Sequence, residues 1–86
     1  MELDLTAAHK HCFKNRDELL KSAQCGCFYC LAIFRPTEIA EWTDEERTAM
    51  CPKCGIDSVI GSASGLPIDS AFLKQMNHQW FGQMAH

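Results

Sequence analysis

Two cysteine pairs carry the clearest chemistry in this chain. Cys27-Phe28-Tyr29-Cys30 and Cys51-Pro52-Lys53-Cys54 are both Cys-x-x-Cys, with 20 residues between them. Cysteines three apart can bend round one ion in a tight turn, with backbone amides directed at the thiolate sulfurs, and two such turns complete a tetrahedron. The spacing lies at the upper end of the zinc-site pattern. It predicts one structural Zn2+ held by Cys27, Cys30, Cys51 and Cys54. Four thiolates leave no open position, so such an ion binds no water and hydrolyses nothing. Gly55, directly after Cys54, suits the positive φ that these turns need.

The remaining cysteines and the histidines offer competing chemistry. Cys25 stands two before Cys27 and could replace it as a ligand, but the Cys27/Cys30 pair repeats the Cys51/Cys54 spacing. Off the metal, Cys25 is either a small buried residue or a reactive thiol lowered in pKa by a group such as His11. Cys12 reads as packing. Cys51-Pro-Lys-Cys54 also matches a redox dithiol, which should open a helix after a strand; here Gly55 and a β-branched run follow instead. His9, His11, His78 and His86 are surplus once four cysteines suffice. Asp57, Ser58, Ser62 and Ser64 suggest a nucleophile, yet no Gly-x-Ser-x-Gly elbow or partnered histidine supports one. No complete set of acid, base and nucleophile can be assembled.

Size explains why a metal would be needed. An 86-residue chain is one domain with a thin core, and ordering it costs on the order of 1.5 kcal/mol per residue, which nearly cancels the hydrophobic gain. The amino terminus shows no basic and apolar signal pattern, and no apolar run reaches the roughly 18 residues of a membrane span. A cytoplasmic, reducing setting is therefore expected, where cysteines bind metal before they form disulfides. The formal net charge is -3, and four thiolates with one zinc take it to about -5. That balance disfavours nucleic acid. Lys10, Lys14, Arg16 and Lys21 form the one basic cluster, interrupted by Asp17 and Glu18.

The elements that must position these residues form a small α+β zinc ribbon with flanking helices. The chain reads as a single zinc-binding domain over 1–86, with 1–10 an arm, 25–61 the ribbon core and 67–82 a closing helix. Asn15 as N-cap and Glu18 three positions on predict a helix over 15–23. Short strands are expected at Leu31–Phe34 and Ile56–Ile60, and a single helical turn at Thr37–Trp42. The stretch 36–50 holds five acids and one arginine, a solvated face or an acidic docking surface. Residues 61–65 read as a loop. Asp69 caps the last helix, with Phe72, Leu73, Met76 and Trp80 at helical steps and Gly82 at its stop.

Several of these residues together resemble a family. Cys25-Gly-Cys-Phe-Tyr-Cys30, Ile39 to Trp42, Thr48-Ala-Met-Cys-Pro-Lys-Cys-Gly-Ile-Asp-Ser-Val-Ile-Gly61, Ser64-Gly65 and Leu73 to Phe81 are similar to a group of small uncharacterised bacterial cytoplasmic zinc-ribbon proteins. The likeness spans about residues 11–81. It implies a bacterial cytoplasmic protein with bound zinc and brings no activity with it. The expected role is a non-catalytic adaptor that meets another protein through 36–50 or the loop after Ile60. A nucleic-acid-binding ribbon and a small thiol enzyme using Cys25 and His11 are the alternatives.

Overall fold

Asp4 opens the first helix, its Oδ1 accepting from the N–H groups of Thr6 and Ala7 at 3.0 and 3.1 Å. This computed structural model describes residues 4–82; the first three residues of the expected arm, and His86, lie outside them. α1 (Leu5–Ala8) runs into a 3-10 turn, His9–Cys12. The arm expected over 1–10 is thus helical from Leu5. Ala8 and Cys12, four apart, anchor it by burying their side chains, which an unpacked arm could not do.

α2 (Arg16–Leu20) is shorter than the expected 15–23. Its continuation fails because the Ala23 and Gln24 amides turn to the Ser62 hydroxyl at 3.0 and 3.3 Å instead of to helical carbonyls. Asn15 precedes the helix but makes no side-chain cap. Its amide instead donates to the carbonyls of His11 and Val59 at 2.8 and 2.7 Å and accepts from the Ala49 N–H at 3.3 Å. Glu18 does not return to Asn15 either; it bonds His11 Nδ1 at 2.9 Å.

Five short strands follow: β1 (Cys25–Cys27), β2 (Ile33–Phe34), β3 (Trp42–Thr43), β4 (Thr48–Ala49) and β5 (Val59–Gly61). β1 pairs antiparallel with both β2 and β5, giving the order β2-β1-β5. In register, Cys25 faces Phe34 and Gly61, and Cys27 faces Val59. The strand around Cys25–Cys27 was not anticipated, and the two expected strands begin two and three residues later than Leu31 and Ile56. The cause is shared. Ala32 and Ile56 carbonyls accept the N–H groups of Cys27 and Cys51, both at 2.9 Å, so the residues after each cysteine pair close a turn before pairing can start.

The helical turn expected at Thr37–Trp42 is a 3-10 turn at Pro36–Glu38, and Trp42 belongs to a β3–β4 hairpin. Asp44, Glu45 and Glu46 round its tip with φ of 52°, 59° and 67°. Left-handed backbone at three non-glycine residues is costly. It is supported by Thr48, whose hydroxyl donates to Asp44 Oδ2 at 3.0 Å, and by Arg16, whose Nη1 donates to the Glu46 carbonyl at 3.0 Å.

The central sheet separates two apolar clusters. Side chains alternate along a strand, so Cys25 and Cys27 pack with Leu19, Phe34, Ile39, Ala49, Cys51 and Val59. On the opposite face Gly26 meets α3 (Ser70–Phe81), where a Cβ would stand only 2.9 Å from Leu73 Cδ1. α3 starts at Asp69, whose carboxylate accepts the Phe72 N–H at 2.8 Å. Phe72, Leu73 and Met76 are buried from it, together with Ile60, Phe28, Ala8 and Cys12. Gly61, read as loop from sequence, is the end of β5, set against Leu19 and Ser22 where a side chain has no room.

Candidate metal centre

Each Cys-x-x-Cys folds as the same small turn. In the first, the Leu31 N–H reaches the Cys27 carbonyl at 2.8 Å and the Tyr29 N–H reaches the Cys27 sulfur at 3.4 Å. In the second, Gly55 N–H reaches the Cys51 carbonyl at 2.9 Å and Lys53 N–H the Cys51 sulfur at 3.3 Å. The residue after each pair takes a left-handed φ, 68° at Leu31 and 79° at Gly55. Gly55 meets the sequence expectation. Leu31 does so without glycine's freedom, and nothing in its side chain announced it.

The two turns bring four sulfurs together. The Sγ atoms of Cys27, Cys30, Cys51 and Cys54 all lie within 4.8 Å of one another. Cys27 is 3.7 Å from Cys54, and Cys30 is 3.7 Å from Cys51. These lengths far exceed a disulfide bond of about 2.05 Å. A tetrahedron with metal–sulfur bonds of about 2.3 Å has sulfur–sulfur edges of about 3.8 Å. The donor set and its spacing therefore fit a tetrahedral, thiophilic ion.

Burial divides the group along its twofold pattern. Cys27 and Cys51, the first cysteine of each turn, are buried, whereas Cys54 is half-buried and Cys30 exposed. Burial pushes the Cys27 thiol well up, against the lowering by the Cys30 and Tyr29 amides. At Cys51 burial acts the same way but is outweighed by the Lys53 and Cys54 amides, which hold the thiol below its ordinary value. Burial also raises Cys54. A cation among them must displace protons, so occupancy falls as pH is lowered.

Cys25 stays out of the cluster. Its thiol is fully buried in the core and burial pushes it up to about 11. A reactive thiol needs the reverse, exposure and a lowered pKa. His11, its supposed partner, is engaged with Glu18. Cys12 packs as expected, with burial and the nearby Asp57 carboxylate raising its thiol to about 11. His9 stacks on Trp80 with ring centroids 4.0 Å apart. Of the basic cluster, Arg16 is taken up by the Glu46 carbonyl and by the Trp42 ring, 4.8 Å from its guanidinium carbon.

Two positioning residues had no sequence signal. Asn77 on α3 donates through Nδ2 to the carbonyls of Phe28 and Tyr29, both at 3.0 Å, tying the first turn to the long helix. Glu38 accepts the Arg35 N–H at 2.9 Å and lies 3.5 Å from Lys53 Nζ on the second turn. No family model matches the sequence, and no curated protein or solved structure matches it either. The arrangement is a small α+β, zinc-ribbon-like fold with four clustered cysteines. Among the described residues no helix is long and apolar enough to cross a membrane.

Proposed function

We propose that Cys27, Cys30, Cys51 and Cys54 bind one Zn2+ as a closed structural site, and that the chain is a non-catalytic module which meets another protein in the cytoplasm. The observation that supports this most is the pair of 3.7 Å sulfur contacts linking the two turns, close to the edge of a zinc–thiolate tetrahedron. Four thiolates exhaust zinc's coordination, which leaves the ion a scaffolding task. The exposed acidic tip at Asp44, Glu45 and Glu46 is a surface for a basic partner segment, held in shape by Arg16 and Thr48.

The test is metal analysis combined with thiol counting on the native protein. One zinc per chain with four cysteines shielded from labelling is expected, and Cys12 and Cys25 should stay slow to label even after chelation as long as the core remains folded. Half a zinc per chain, or rapid labelling of Cys27 and Cys51 with zinc bound, would sink the four-thiolate site. For the partner, crosslinking in cells with charge-reversed Glu41, Glu45 and Glu46 should lose a partner that the parent chain captures, at unchanged zinc content. Identical crosslinks would remove the acidic surface from the proposal.

A further inference from the structure

The four clustered cysteines differ in what can reach them. Cys27 and Cys51 are buried, at 0% and 3% exposure, and the sulfur of each accepts a backbone N–H, from Tyr29 at 3.4 Å and from Lys53 at 3.3 Å. Both features quieten a thiolate, since burial keeps reagents away and a donated N–H draws charge off the sulfur. Cys54 is half-buried, and Cys30 alone stands at the surface, beside the exposed Tyr29. Behind it, the buried Cys51 places its Sγ 3.7 Å from the Cys30 Sγ. An accessible sulfur with a second sulfur in reach is the arrangement by which cysteine oxidation ends in a disulfide. The metal reading makes no use of this inequality, because a closed tetrahedral site needs four ligands and sets no order among them.

We propose that Cys30 is the site in this cluster that hydrogen peroxide oxidises, and that Cys51 then closes a disulfide with it, which takes both out of the ligand set; the inference rests on the zinc reading above. First, the Cys30 thiolate attacks one peroxide oxygen. The S–O bond forms, the O–O bond breaks, and hydroxide departs, so that two electrons pass from sulfur to peroxide and a sulfenic acid remains. Second, the Cys51 thiolate attacks the Cys30 sulfur; the S–S bond forms, the S–O bond breaks, and a second hydroxide leaves. With two protons from solvent, two thiolates and one peroxide give one disulfide and two waters. The geometry favours this order. Peroxide arrives from solvent, so the new S–O bond points outward, and displacement must come from the opposite, inner side, where Cys51 lies. Its sulfur has to close from 3.7 Å to about 2.05 Å. Cys27 and Cys54 are left as two thiolates 3.7 Å apart, half of a closed site. A metal-bound thiolate keeps its lone pairs, so coordination slows the first step without preventing it.

The test uses the unmutated full chain, so no ligand is removed in advance. Metal analysis comes first: a chain that loads no zinc refutes the metal reading and this inference with it, whereas a loaded chain oxidised elsewhere overturns this inference alone. The loaded chain is treated with excess hydrogen peroxide beside a colorimetric zinc indicator and sampled before half of the zinc is released. Peptide mass mapping should find the first disulfide between Cys30 and Cys51, with one zinc released for each such bond. Dimedone, which traps sulfenic acids, should be found on Cys30 and should reduce the yield of that disulfide. A thiol reductant followed by fresh zinc should restore the starting metal content. Dimedone on Cys27, Cys51 or Cys54, a first disulfide between any other pair, or zinc retained after Cys30 and Cys51 have joined would each overturn the proposal.

Discussion

The two cysteine turns have the same backbone and opposite surroundings. The first grows out of the central strand β1, buries Cys27 and Phe28, and is held from behind by Asn77 of α3. The second leaves a hairpin, presents Pro52 and Lys53 to solvent, and is linked sideways through one exposed contact to Glu38. Identical hydrogen bonds within a turn thus do not imply equal stability. The first turn is part of the core. The second reaches the core only through the buried Cys51 side chain, with Cys54 packed at its edge, so its anchoring runs through residues of the sulfur cluster itself.

Metal removal should separate the two turns most sharply. A structural zinc contributes on the order of 10 kcal/mol of apparent binding energy, so chelation should abolish hydrogen-exchange protection at the Cys51 and Gly55 amides. The Cys27 and Leu31 amides should keep part of theirs. Equal loss in both turns would break the comparison.

Alkaline pH should act next, and away from both turns. Cys12 is pushed up to about 11 from an ordinary 9.0. The folded chain therefore holds this proton more tightly than the unfolded chain does, and the stability it confers is complete below about pH 9 and lost as pH rises through about 11. Cys12→Ala should flatten the fall in stability, measured by urea denaturation between about pH 9 and pH 11, by about 2 kcal/mol, leaving the share of Cys25, whose thiol is raised equally. An unchanged slope would locate the titrating group elsewhere, the metal turns included.

Smaller substitutions test each turn in place. Asn77→Ala removes two hydrogen bonds to the first turn and should cost about 1–2 kcal/mol by urea denaturation of the zinc-loaded protein, with exchange in the second turn unchanged. Gly55→Ala meets no atom within 4 Å, so its cost is that of left-handed backbone alone, about 1 kcal/mol. Should it match Asn77→Ala or exceed it, the second turn would be the more constrained of the two. Lys53→Ala should leave the midpoint where it is, because an exposed pair contributes little.

The sequence made the four sulfurs legible because cysteine spacing is a local property that a turn obeys whatever surrounds it. The closing helix was legible for the same reason, with Asp69 and the apolar steps at Phe72, Leu73 and Met76 all acting within a few residues. What failed was long-range. The strand at Cys25–Cys27 is only three residues, and it exists because partners from both sides arrive to pair with it. The hairpin tip uses Asp44, Glu45 and Glu46 in a conformation that sequence assigns to glycine or asparagine, and the side chains that support it come from Arg16 and Thr48. Asn15 carries a helix-cap residue type, yet its bonds are spent on tertiary contacts.

Those contacts bear on how the chain is made. Asn15 bonds the Ala49 N–H and the Val59 carbonyl, segments synthesised well after it. Translation delivers about 5–20 residues per second, so for some seconds the amino-terminal helices exist without the groups that fix them. Val59 is also the strand that closes the sheet beside Cys27. A nascent chain halted just after Ile56 would hold all four sulfurs and the Gly55 and Ile56 groups that close the second turn, and still lack the last partner of Asn15. Assembly of the cysteine turns can therefore precede the locking of Asn15, and the amino-terminal helices gain their remaining cover only when α3 follows and packs on Ala8 and Cys12.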